Sequence, residues 1–222
     1  MIRTRAPLRA GWLGAVPYEV AWEMQRDLVE RRKSGAIGDR LLLLEHPSVY
    51  TLGRRGDLGH IKADAETLAA MGTEVVHTDR GGDVTWHGPG QLVGYPIVSL
   101  EPDRKDLVRY VRDLEEAIIR ATADFGVTAG RIAGLTGVWA GDEKLAAIGV
   151  RIARWVTSHG FAFNVCNSLE PYGHIVPCGI ADKGVTTLSR LAGRPITVRD
   201  AAERTALRFA EVFDRELSFD GW

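Results

Sequence analysis

The sequence predicts an α+β fold, a mixed or antiparallel sheet with helices packed on it. Three observations carry that expectation. Strand-like apolar runs outnumber helical ones. Several strands stand in neighbouring pairs joined by short turns, and no regular alternation of strand and helix runs through the chain.

Leu8 to Val16 reads as the first strand. Pro17 then suits the first turn of a helix, where its missing N–H costs nothing. That helix carries Trp22, Met24, Gln25, Leu28 and Val29 and stops at Gly35. Leu41 to Leu44 is a buried strand. Glu45-His46-Pro47 turns the chain, and Val49 to Leu52 is the next strand. Asp64 to Met71 makes a short helix with Asp64 as its N-cap and Gly72 as its stop. Val75-Val76 opens a strand that runs into a loop over Arg80 to Gln91, and Leu92 to Val98 leaves it.

Asp106 to Phe125 is the clearest helix. Leu107, Val111, Leu114, Ile118, Ala121 and Phe125 recur at steps of three or four and form one apolar stripe. All six are assigned to core packing. Gly137 to Ala140 and Leu145 to Val150 flank Gly141-Asp142-Glu143-Lys144, a hairpin with a Gly-Asp turn. A further strand is expected from Arg151 to Asn164. Thr197 to Phe213 closes the chain as a helix, with Thr197 and Asp200 spaced like a capping box.

The chain has 222 residues, enough for one domain over 1–222 whose core needs no staples. A net charge of −1 gives no reason to expect nucleic acid. Two cysteines make no disulfide framework and fit a reducing cytoplasm. Met1 to Leu13 lacks the apolar core of a signal peptide, and no apolar run is long enough for a membrane span. With six histidines and two cysteines at poor ligand spacing, no metal site is expected.

Three stretches and one turn carry candidate chemistry. Ile175-Val176-Pro177-Cys178-Gly179-Ile180 sets one thiol in a short rigid turn. Two readings are open, a small buried hydrophobe and a nucleophile. Arg80-Gly81-Gly82-Asp83-Val84-Thr85-Trp86-His87-Gly88-Pro89-Gly90-Gln91 packs four glycines around Arg, Thr, Trp, His and Gln. Glycines let backbone N–H groups approach a ligand, and polar side chains orient it. The alternative is a surface turn cluster. It is no phosphate-binding Walker loop, since no Gly-Lys-Ser/Thr ends it. Lys144 heads a strand of small residues. It reads as a solvated lysine unless it meets Cys178, where a cation favours thiolate and desolvation lowers a lysine's own pKa. Ser158 to Asn164 holds Gly160 and Ala162, which leave room for an apolar chain or pack as an ordinary strand. Cys166 reads as structural. His46, His60, His77 and His174 read as surface or turn residues, and His87 and His159 as hydrogen-bonding rather than proton-transferring groups.

At these places the sequence closely resembles the octanoyltransferase family, also called lipoate-protein ligase B or lipoyl(octanoyl) transferase. The matching segments are RGGDVTWHGPGQ at 80–91, EKLAAIG at 143–149, SHGFAFNV at 158–165 and PCGI at 177–180. Their order and spacing match, and the similarity runs from about Leu8 to Leu191. Trp86 stands where Tyr is also usual, and Phe161 where Leu is common. The resemblance implies a fold like that of biotin and lipoate ligases, within the class II synthetase-like group. It implies transfer of an octanoyl group from acyl carrier protein to a lysine on lipoyl domains of 2-oxoacid dehydrogenase complexes and the glycine cleavage H protein. It places the nucleophile on Cys178 and its partner on Lys144. It places substrate contacts on Arg80, Gly81, Gly82, Asp83, Val84, Thr85, Trp86 and His87, on Ala147, Ile148 and Gly149, and on Gly160, Phe161 and Ala162.

A thioester exchanged onto Cys178 is nearly isoenergetic with its donor, and attack by an amine to give an amide is downhill. Neither ATP nor a metal is expected. Backbone N–H groups near Cys178 and Gly179 are oxyanion candidates. A basic patch of Arg54, Arg55 and Arg80 is expected to dock acidic carrier proteins. The chain is expected to be a monomer. The alternatives are an ATP-dependent lipoate or biotin ligase of the same fold, a cysteine hydrolase, and a non-catalytic module binding carrier protein or metal.

Overall fold

Leu41, Leu42, Leu43 and Leu44 are all fully buried. A strand holds four consecutive buried leucines only when its sheet is covered on both faces. The computed structural model, which describes residues 6–102, 104–176 and 183–219, shows that arrangement. The strands are β1 (Ala6–Ala15), β2 (Asp39–Glu45), β3 (Val49–Leu52), β4 (Glu74–His77), β5 (Val84–His87), β6 (Gln91–Ile97), β7 (Val138–Ala140), β8 (Glu143–Ala153), β9 (Val156–Asn164), β10 (Gly184–Val185) and β11 (Arg215–Phe219). The helices are α1 (Tyr18–Lys33), α2 (Ala65–Ala70), α3 (Leu107–Ala123), α4 (Leu188–Ala192) and α5 (Val198–Val212).

The main sheet runs in the order β10-β8-β9-β6-β2-β1-β11, with β7 beside β8. It is mixed: β1 lies parallel to β2 and to β11, while β2, β6, β9 and β8 are successively antiparallel. A second sheet, β4-β3-β5, has three strands. Leu41 and Leu43 face a large core with Leu114, Ile118 and Phe209 from α3 and α5. Leu42 and Leu44 face a smaller one with Ala21, Leu28 and Val29 from α1. Each fully buried leucine contributes about 2 kcal/mol. Asp39, buried at the head of β2, accepts from Arg32 Nε at 2.8 Å and Arg215 Nε at 2.9 Å, joining α1 to β11.

The local signals work where they are local. Asp64, Asp106 and Thr197 cap α2, α3 and α5, each accepting from the backbone N–H three residues on. Gly141 takes φ +56 in the two-residue turn between β7 and β8. Other expectations are corrected. The strand expected over Arg151 to Asn164 is the end of β8, a turn, and β9. Arg154 and Trp155 both take positive φ in that turn. The loop over Arg80 to Gln91 contains β5. The stripe on α3 is not all core: Leu107 is 53% exposed. His46 is buried, with Nδ1 donating to the Val16 carbonyl and Nε2 accepting from the Tyr95 hydroxyl. Cys166, read as structural because nothing marks it as activated, is exposed, and burial and the nearby Glu45 push its thiol up rather than down.

Candidate active site

On the α1 side of the main sheet the strands carry small residues where they cross its middle. Val93, Ala162 and Ala147 stand in register on β6, β9 and β8, and Gly160 pairs with Gly149 one step along. The three-stranded sheet closes over this floor. Between them lies a narrow slot. Its floor is Val93, Tyr95, Ala147, Gly149, Gly160 and Ala162, and its roof is Arg80, Gly82, Thr85, His87 and Tyr18.

The roof comes close because glycines permit it. A Cβ on Gly149 would stand 2.8 Å from the Gly81 carbonyl oxygen, and one on Gly53 would stand 2.4 Å from the Gly82 carbonyl oxygen. Gly81 N–H donates to the Val150 carbonyl at 3.0 Å, which stitches roof to floor. On β5 the side chains alternate. Thr85 and His87 face the slot, while Val84 and Trp86 pack with Tyr50, Leu52, Tyr172 and Ile175 behind it.

Most polar groups in the slot walls are internally satisfied, although the buried His159 Nδ1 has no hydrogen-bond partner among the described residues. Arg80, only 7% exposed, donates from Nη2 to the Thr51 carbonyl and hydroxyl at 2.6 and 2.9 Å. Thr51 Oγ1 lies 3.3 Å from His87 Nε2, and His87 Nδ1 lies 2.8 Å from Gln91 Oε1. Gln91 Nε2 in turn donates to Asn164 Oδ1 at 3.0 Å. Burial holds the His87 imidazole well below its usual range, with the nearby His46 adding to the effect. His87 is therefore a neutral ring, donating from Nδ1 and accepting at Nε2. Burial likewise pushes the Tyr18 phenol up to about 12. His159 takes φ +53 on β9, and its Nε2 lies 2.7 Å from Asp79 Oδ1. Burial lowers its pKa against the opposing pull of Asp79.

A wider cleft adjoins the slot and shares Gly82, Ile148 and Gly149 with it. Lys144 lines this cleft, together with Gly81 and Asp83. Its Nζ stands over the Trp139 ring, 4.8 Å from the centroid, with no carboxylate partner among the described residues. Glu115 braces the cleft's far wall. It accepts from Gly137 N–H at 3.0 Å and from Arg131 Nε at 2.9 Å, holding the chain that supplies Gly134 to Thr136.

Arg80, Gly81, Gly82, Asp83, Thr85 and His87 thus meet Ala147, Ile148, Gly149, Gly160, Phe161 and Ala162 around two joined cavities, with Lys144 on the wall of the second. Val84 and Trp86 line neither. Cys178 lies outside the described residues, 177–182 being among those not described.

A family model described as the lipoyl protein ligase A/B catalytic domain matches residues 17–210. An octanoyltransferase from Solibacter usitatus is 50% identical over 205 residues, covering 92% of this chain and 92% of its own. One from Geobacter sulfurreducens is 52% identical over 198 residues, covering 89% and 81%. The chain belongs to the octanoyltransferase family. Members of this family are acyltransferases, within the wider group of lipoyl protein ligases. The fold reaches further than the sequence. A bipartite lipoate protein ligase from Thermoplasma acidophilum superposes with a TM-score of 0.76 at 16% identity, covering 99% of this chain and 88% of that one. A lipoate-protein ligase A solved with ATP gives 0.74 at 14% identity, covering 99% and 90%. The biotin protein ligase of Aquifex aeolicus gives 0.53 at 11% identity, covering 93% and 69%. The octanoyltransferase chain therefore has the α+β fold of lipoate and biotin ligases.

Sequence reasoning missed Tyr18, Val93 and Tyr95 as slot residues. Gln91, Val93 and Tyr95 alternate along β6, so a period-two reading of that strand offers a signal for two of them. Tyr18 carries no such signal. Its place depends on where α1 crosses the sheet.

Proposed function

We propose that the protein transfers an octanoyl group from acyl carrier protein to a specific lysine of lipoyl-domain proteins through a thioester on Cys178. The observation that carries this reading is the joining of the two cavities at Gly82, Ile148 and Gly149. A narrow, mainly apolar slot suits a hydrocarbon tail, at about 0.8 kcal/mol for each methylene buried. An open cleft with an amine on its wall suits the thioester end and the incoming protein.

In the first half-reaction Lys144 takes the Cys178 proton. The thiolate attacks the carrier thioester, the carrier sulfur leaves as thiol with the proton returned from Lys144, and a new thioester stands on Cys178. In the second, the acceptor lysine attacks the acyl carbon as a neutral amine, Lys144 takes a proton from its nitrogen as the amide forms, and Cys178 leaves as thiolate. One thioester replaces another and then yields an amide, so the cycle needs neither ATP nor a metal. The neutral, hydrogen-bonded His87 holds the roof and takes no part in moving protons.

Intact-mass analysis tests this directly. The purified protein mixed with octanoyl carrier protein should gain one octanoyl group, located by peptide mapping on Cys178. Cys178→Ser should form no thioester. Lys144→Ala should slow both half-reactions by roughly 10² to 10⁴, the usual worth of general-base help. An adduct on another residue, or activity of Cys178→Ala with ATP and free octanoate, overturns the reading.

A further inference from the structure

We propose that the outer rim of the cleft, formed by the turn carrying Arg54 and Arg55 and by the first turn of α3, docks the donor: an acidic carrier domain bearing its acyl group on a phosphopantetheine arm. This deepens the function proposed above and rests on it. Arg54 and Arg55 are exposed and carry no ion pair or side-chain hydrogen bond among the described residues. Most arginines of the chain do carry one, down to exposed pairs such as Arg26 with Glu23 and Arg199 with Glu203. Unpaired neighbouring cations repel each other and stabilise nothing within the fold, but they complement an anion. Arg55 also lines the cleft itself, where it would face the phosphodiester of the arm.

The opposite rim is apolar. Leu107 lines the cleft at 53% exposure, and Val108 beside it is 68% exposed. An apolar helix turn facing unpaired arginines suits a partner with an acidic surface and an apolar contact at its centre. The donor's phosphodiester is itself an anion that Arg54 and Arg55 attract.

The turn is bonded to the slot roof. Arg54 N–H donates to the Arg80 carbonyl at 3.0 Å, and Arg55 N–H to the Gly82 carbonyl at 3.1 Å. A carrier held on these two side chains therefore sits one hydrogen bond from the residues that cover the acyl chain.

The test compares two thioesters, octanoyl carrier protein and uncharged octanoyl-N-acetylcysteamine, in acyl-enzyme formation by the full chain. In R54E/R55E, and separately in L107S/V108S, the ratio of kcat/KM for carrier protein to that for the small thioester should fall at least tenfold. The loss should appear in KM. Raising salt should bring the unaltered protein's carrier-protein rate toward that of R54E/R55E. Equal loss with both thioesters, no loss with carrier protein, or a loss confined to transfer onto a lipoyl domain each overturns the assignment. Absence of acyl-enzyme from either thioester in the unaltered protein overturns the function itself, and the docking assignment with it.

Discussion

Arg80 and Thr51 are joined by a forked contact: Nη2 reaches the Thr51 carbonyl at 2.6 Å and its hydroxyl at 2.9 Å. The guanidinium is buried beneath the roof of the slot. It therefore takes no part in the basic patch that its sequence neighbourhood suggested, which reduces to Arg54 and Arg55. Its work is to brace β3 against the loop that covers the slot.

Removing that brace should be costly, since bonds from a charged donor contribute about 1.5–3 kcal/mol each. Arg80→Met should lower unfolding stability by about 3 kcal/mol in urea titration. Arg80→Lys should recover little of it, because a single ammonium cannot reproduce the planar fork. Full recovery by lysine would show that charge alone matters at this position.

Gly149 is the second lever on the slot. A methyl there meets the Gly81 carbonyl oxygen at 2.8 Å, and backbone cannot swing aside as a side chain can. Gly149→Ala should displace the roof, destabilise the protein by about 1–3 kcal/mol, and slow octanoyl loading at least tenfold at a temperature where the variant is still folded. Gly130→Ala is the control, because nothing stands within 4 Å of its added methyl. Its stability should stay within about 0.5 kcal/mol of the original.

Burial at His46 sets a pH dependence of stability. Desolvation lowers its pKa from 6.5 to about 4, opposed in part by the hydrogen bond to Val16. Tyr18, Tyr95 and the neutral His87 are the titratable rings against it. The unfolded chain then binds a proton that the native state refuses between those two values. Stability should be fully present above about pH 6.5 and fall by about 3 kcal/mol as pH drops to 4. His87, also held low, adds to the same trend. Urea midpoints measured from pH 7.5 to 4 would show it, and His46→Gln should flatten the curve.

Elements whose cause lies within a few residues are legible in the chain. Asp64, Asp106 and Thr197 each bond a backbone N–H three positions on, so an N-cap is a statement about four consecutive residues. Gly141 answers a turn's need for positive φ, again locally. The loops holding Arg80 to His87, Ala147 to Gly149 and Gly160 to Ala162 stand out by composition, and by family resemblance.

Direction was left to the assembled chain. Whether Arg80 points out to a partner or in toward Thr51, 29 residues away, depends on the pairing of β3 with β5. His46 is buried because α1 and Tyr95 arrive from both sides, and Leu107 is exposed because it is turned to the cleft, away from Phe213 and the core that bury Tyr110. β1 finds its parallel neighbour β11 at the opposite end of the sequence. Short-range hydrogen bonds and steric limits are written in adjacent residues. Burial and facing are properties of surfaces that exist only once distant segments have met, and the slot, its roof and its rim all belong to that second kind.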